Sequence, residues 1–240
     1  VVNKIGNKYA LEVVISEKPW KSGLDLNFDV NQEIDEIKPV TDIDGNVYQV
    51  VKVGAQYWTT SNLHVTRYND GTPIDLISAK DKWGQVAETK KGAYCLYNDD
   101  INNEADYGFL YNWHAVNTDK LCPEGWHVPT VNDFKNLILY LGEKPGTKIK
   151  AKEGWQDVDY VTKPEYQGTD EFGFNALPGG NRKYQEGFMR IGMYGEWWTS
   201  EVQESYTTSA YMFYVYARYT DIRTLYHLKE TGHAVRCIKD

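Results

Sequence analysis

The stretch LCPEGWHVPTVNDFKNLILYLG, residues 121–142, decides how this chain folds. Val131, Phe134, Leu137, Ile138 and Leu141 recur at steps of three and four, which lays one apolar stripe along a helix. Thr130 has the side chain to cap that helix, and Asp133 at its third position suits the positive end of the dipole. Gly142 stands where a left-handed residue closes a helix. The expected helix is residues 131–141, with Leu137, Ile138 and Leu141 buried. Pro129 brings the chain in extended. His127 lies in that approach with no second histidine or carboxylate at ligand spacing, so it reads as a bonded structural imidazole.

Outward from there, YGFLYNWHAVN (107–117) places Phe109, Leu110, Trp113 and Val116 near helical spacing, and the middle of the chain is expected to hold two helices at most. Upstream, Asp44-Gly45 in TDIDGNVYQVVKVGAQYW is a hairpin signal, with Gly54 marking the next turn. Asp42, Asp44 and Asn46 invite a calcium-loop reading, but Gly45 comes too early and position twelve is Val53 rather than Glu. A hairpin is expected. In the first forty residues KYALEVVIS and LDLNFDVN read as strands, the second by its alternation over 24–31. The last quarter, with EWWTS, SAYMFYVYARY, RTLYHLK and HAVRCIK, reads as short strands joined by polar turns. AYMFYVYA suggests core on one face and an aromatic, binding-competent surface on the other.

Composition narrows the function classes. The 26 basic against 34 acidic residues give a net charge of −8, which argues against a surface made for nucleic acid or anionic lipid. No apolar run approaches the ~20 residues that cross a bilayer. The chain starts without Met and without a leader, as a trimmed product would. Tyrosine (19) and tryptophan (8) far outnumber methionine (3), and their rings carry apolar area with a polar edge. Cys95, Cys122 and Cys237 form no CxxC pair, which leaves one disulfide with a spare thiol, or three packed thiols. GxSxG, HExxH and a Gly-rich phosphate loop are all missing, so no catalytic residue, metal or cofactor is expected.

The ordered motifs DIDGNVYQVVKVGAQYW, SNL, YNDG, GAYCLYND, YGFLYNWHAV, LCPEGWHVPT, GFNALPGGNR, EWWTS and AVRCIKD resemble the Fibrobacter succinogenes major paralogous domain, from about Thr41 to Asp240. That family in turn resembles the C-type-lectin-like fold, in the branch of the formylglycine-generating sulfatase modifiers. The resemblance implies an α+β class: a C-type-lectin-like domain with two helices, a twisted antiparallel sheet and long loops, preceded by a strand-containing extension at 1–40. It implies a secreted or outer-surface, lipoprotein-type protein of a Bacteroidetes-like bacterium, with a lipid anchor on a preceding segment allowed. Glycan or extracellular protein is the implied partner. The expected contacts are Asn181, Arg182, Trp197, Trp198, Tyr211, Tyr214 and Tyr216, on an aromatic C-terminal surface. The sugar-binding triplets of calcium-dependent lectins are missing, since KPEY (163–166) and WWTS (197–200) are poor substitutes. The oxidase chemistry of the sulfatase modifiers needs a second cysteine near Cys237, and none lies within forty residues. A non-enzymatic binding module is therefore expected, with a structural or adhesin subunit as the alternative and an oxidase-related enzyme behind both. Lectin-like architecture also sets the helix region beside the last strand, which implies a Cys122–Cys237 bridge and leaves Cys95 as a buried thiol. Pairing of Cys95 with Cys122, and full reduction, stand as alternatives.

Overall fold

The computed structural model describes residues 2–5, 8–11, 37–78, 80–156 and 163–240. The chain divides into two units, Val1–Glu36 and Ile37–Asp240. In the first, Val2–Ile5 pairs antiparallel with Lys8–Leu11, Val2 opposite Leu11. Residues 12–16 and the expected strand at 24–31 lie outside the described residues.

The second unit is mixed α/β, mostly strands in open antiparallel sheets with a few helices. Its longest helix is Val131–Leu141. Thr130 and Asp133 form a reciprocal capping box, and Gly142 ends the helix at φ +65°. Phe134, Leu137 and Leu141 are buried, whereas Ile138, expected to be buried, is only half-buried at the margin of the stripe. The approach to the helix, Trp126–His127, pairs with the closing strand Ile238–Lys239, His127 opposite Ile238. That closing strand also meets Gln56–Thr59, which forms a hairpin with Val50–Val53. The expected Asp44-Gly45 turn joins Val40–Thr41 to Val47–Tyr48. Asp42 holds it by accepting from the backbone N–H groups of Asp44 (2.9 Å) and Asn46 (3.0 Å).

A three-stranded antiparallel sheet, Tyr194–Val202, Ser209–Tyr216 and Ile222–Leu228, separates two apolar cores. Trp197 lies opposite Phe213, and Trp198 opposite Met212. Side chains alternate faces along a strand, so Trp197, Phe213 and Val215 enter the core against the helix. Phe134 stacks on Phe213 at 4.4 Å there. Trp198, Ala210 and Met212 enter the other core, with Tyr111, Trp113, Cys122 and Cys237.

The helix count needs correction. Five α-helical stretches occur among the described residues, and the expected one at 107–117 is broken up. Gly108 has φ +66°, and a Cβ there would sit 2.7 Å from the Leu63 carbonyl oxygen, so the chain turns and Leu110–Tyr111 becomes strand. Helix resumes only over Trp113–Val116, capped by Asn112, whose side chain accepts from the Ala115 N–H. Lys80–Thr89 is a helix that the sequence reading missed, since only Trp83 and Val86 mark its apolar side.

The long loops are stitched by buried cations. The Arg236 guanidinium, 1% exposed, donates to the carbonyls of Thr59 (2.8 Å), Phe174 (2.6 Å) and Asn175 (2.9 Å) and to Asn62 Oδ1 (3.0 Å). Lys150 is fully buried and donates to the carbonyls of Tyr166 (2.7 Å) and Tyr219 (2.9 Å). Desolvation pulls its ammonium down to about 8. These loops have no ladder partners for such carbonyls, and a charged donor satisfies several at once.

Candidate functional site

Four of the expected ligand contacts are interior residues. Asn181, Arg182, Trp197 and Trp198 are 0–2% exposed and offer no surface to a ligand. Each has a partner inside. Asn181 donates to Glu196. The Arg182 guanidinium lies between the rings of Trp83 (4.7 Å) and Phe188 (4.8 Å) and donates to the carbonyls of Ile77 and Ser78. Trp197 Nε1 donates to Asn62 Oδ1 (2.8 Å), and Trp198 Nε1 to the Tyr111 carbonyl (2.9 Å). The physical reason is that this sheet has core on both faces, so adjacent strand residues are both covered. Tyr211 projects from the face opposite to Tyr214 and Tyr216, an odd number of residues away.

Tyr214 and Tyr216 remain, half-buried at the end of the sheet where the second core runs out. Tyr194, directly across from Tyr216, stacks on it at 4.4 Å and 22°. Tyr219 meets the other side of Tyr216 edge-on at 4.9 Å, and Tyr214 lies 5.9 Å from Tyr194. Arg190 covers Tyr194 at 4.6 Å and Arg223 covers Tyr219 at 3.8 Å. The result is a row of half-buried rings closed at each end by a guanidinium, a cation–π arrangement. Burial pushes the Tyr194 phenol up, so its hydroxyl stays a donor at ordinary pH. Lys150 fixes the turn behind the row through the carbonyls of Tyr216 (3.2 Å) and Tyr219 (2.9 Å).

Under the row sits Glu196, 2% exposed and opposite Tyr214. Burial alone would raise its carboxyl, but His233, Asn181 and Arg190 outweigh that and hold it down to about 2. Arg190 donates to Glu196 Oε1 at 2.9 Å, so one guanidinium is bound to the buried carboxylate while it stacks on the row. Sequence reasoning missed Tyr194, Arg190, Tyr219 and Arg223. A signal was present: Tyr194, Glu196 and Trp198 alternate along one strand and so share the face that carries Tyr214 and Tyr216.

Cys122 and Cys237 are joined as a disulfide, Cα atoms 5.9 Å apart, and Cys95 is free and buried. Burial pushes the Cys95 thiol up to about 12, which leaves it a packing residue without nucleophilic character. His127 Nδ1 lies 2.6 Å from Asp240 Oδ1, and its Nε2 lies 3.3 Å from Asp133 Oδ2, so the ring links the chain end to the helix cap. Among the described residues, no three His, Cys, Asp or Glu side chains come together as a metal site. No helix of the described residues is long and apolar enough to cross a membrane.

The family model described as the Fibrobacter succinogenes major domain matches residues 51–239. No curated protein and no solved structure matches the chain. Its own architecture, with the Gln56–Thr59 strand, the capped helix, the disulfide and the closing strand, falls within the matched span. The chain belongs to the Fibrobacter succinogenes major domain family.

Proposed function

From that membership, together with the tyrosine row, we propose that the chain is a non-enzymatic binding module of C-type-lectin-like fold, and that its ligand is a glycan. The domain is assigned to residues 41–240, with residues 1–40 as an extension, in a secreted or outer-surface protein. The observation that carries this reading is the row Tyr194–Tyr216–Tyr219, its first pair stacked and its second edge-on, with Arg190 and Arg223 at its ends. Rings held by one another and by a buried carboxylate lose little freedom when a ligand arrives, which favours binding. Half-buried tyrosines, each an apolar ring with a polar tip, suit a partner that alternates C–H faces with hydroxyl groups, as a sugar does. The pushed-up Cys95 thiol gives no support to thiol chemistry.

A glycan array probed with the protein and with a Tyr216→Ala/Tyr219→Ala variant tests this. Selective binding by the protein, lost in the variant, is the expected result. A silent array, or equal binding by a folded variant, overturns it. One observation favours the structural-subunit reading as a second: the outer strand Ile222–Leu228 leaves Leu225, Tyr226 and Leu228 40–47% exposed along a sheet edge. Size-exclusion chromatography with light scattering checks that reading by showing whether the protein assembles.

A further inference from the structure

Two histidines six residues apart, His227 and His233, are not accounted for by the tyrosine row. His227 is on the outer strand, across from Ala210, and His233 is fully buried after the Lys229–Gly232 turn. The rings stack at 4.9 Å, and His227 Nδ1 lies 2.8 Å from His233 Nε2, a hydrogen bond. Trp198 packs edge-on against His233 at 4.5 Å and keeps water off it. His233 Nδ1 faces Glu196 Oε2 at 3.5 Å, an electrostatic contact longer than a good hydrogen bond, and has no hydrogen-bond partner of its own. Three groups thus stand in line: carboxylate, imidazole, imidazole.

The line ends at a cleft of about 300 Å³ lined by Lys183, Tyr184, Gln185, Glu186, His227, Leu228 and Thr231. That is the low end of ligand-pocket size, enough for one small ring. Lys183 and Glu186 form an ion pair at 3.0 Å, so the cleft has no net charge to offer an ionic ligand. Leu228 and the Tyr184 ring give it an apolar wall, and Gln185 and Thr231 a polar one.

One hydrogen fits between His227 Nδ1 and His233 Nε2. His233 Nδ1 faces the Glu196 carboxylate, so its Nε2 is the nitrogen that shares the bond with His227 Nδ1. That leaves His227 Nε2 for a ligand. Burial is the largest of the effects that pull the His227 imidazole down to about 3, in keeping with a neutral ring.

We propose that this cleft binds a single neutral sugar ring, with His227 Nε2 hydrogen-bonded to a ligand hydroxyl, a group that can donate or accept. The inference deepens the glycan reading and rests on it for the class of ligand, while its geometry is separate from the tyrosine row. Glu196 lies between the two, bonded to Arg190 of the row and facing His233.

Long-range ¹H–¹⁵N spectra of the protein at pH 7 resolve the ring nitrogens of His227. A panel of neutral hexoses and deoxyhexoses at millimolar concentration is then titrated in. At least one is expected to shift the His227 Nε2 resonance, and His227→Gln to weaken it at least tenfold. A panel that leaves the His227 Nε2 resonance unmoved overturns the proposal, and that measurement needs no variant to fold. Array binding that survives His227→Gln sinks this site and leaves the tyrosine row standing. A silent array with a hexose shift at His227 does the reverse.

Discussion

The two faces of the three-stranded sheet behave differently although the same strands supply both. On the helix side, Trp197, Phe213, Val215 and Ile222 are buried against Phe134 and Leu137. On the other side, Trp198 and Met212 are equally dry, but Tyr194, Tyr214 and Tyr216 at the far end are half-buried over a nearly inaccessible Glu196. The first face is a core in the ordinary sense. The second changes character along its length, from packing to a polar network with rings on top. The difference teaches that alternation alone does not locate a binding face, because what covers each end of a strand matters as much as which way it points.

The strongest test of the dry end is the disulfide, which closes the core shared by Trp198 and Met212. It spans 115 residues, for which the chain-entropy model gives about 4–5 kcal/mol. Urea unfolding of the Cys122→Ala/Cys237→Ala variant should show a loss of that order. A loss under about 1 kcal/mol would mean that this end is held by packing alone.

On the helix face the next largest effect is expected at Arg236, whose guanidinium stacks on Phe174 (4.7 Å) and Trp197 (6.0 Å). Arg236→Met keeps much of the volume but strips donors from three carbonyls and Asn62. Unmet buried acceptors cost ~1–3 kcal/mol each, so a loss of about 3–5 kcal/mol is expected. A near-neutral result in denaturant would show that the loops there need no cation.

The polar end has a signature in acid. The Glu196 carboxyl titrates near 2 when folded and near 4.5 when unfolded, so the unfolded state takes up the proton first. Its contribution is complete above about pH 4.5 and is lost as pH falls through about 2. That amounts to roughly 3 kcal/mol at ~1.4 kcal/mol per unit. The stability difference between the protein and Glu196→Gln should shrink across this window. A difference constant with pH would place the acid sensitivity in other carboxylates.

The sequence made the first face legible and the second only in part. A stripe of five apolar residues with Thr130 before it and Gly142 after it has one good solution, and the helix occupies the expected residues. The resemblance carried the link between the 121–142 region and the last strand. Trp197 and Trp198 misled because a tryptophan pair on a strand looks the same whether one face or both are covered. Arg182 misled because its ligands are carbonyls of Ile77 and Ser78, about a hundred residues away, and carbonyls leave no mark in a sequence. The Glu196–His233–His227 line was invisible for a similar reason: it is assembled from three segments that meet only after the sheet forms.

The smallest effect on stability, and the sharpest on the comparison, is expected at Tyr216. Its ring is half-buried, and its ring neighbours Tyr194 and Tyr219 are themselves partly exposed. Full burial of a large side chain contributes ~1.5–3 kcal/mol and an aromatic pair ~0.5–1.5 more, so a half-covered ring in such a row should contribute about 1–2 kcal/mol. Tyr216→Ala should therefore unfold at a somewhat lower urea concentration than the protein, and well above Arg236→Met. A glycan ligand identified on the array should bind it more weakly by at least ~1 kcal/mol, the threshold for a true contact. If instead Tyr216→Ala destabilises by as much as Arg236→Met while any ligand binds unchanged, the tyrosine row is core. The two faces would then be alike, and the binding surface would have to be sought away from this sheet.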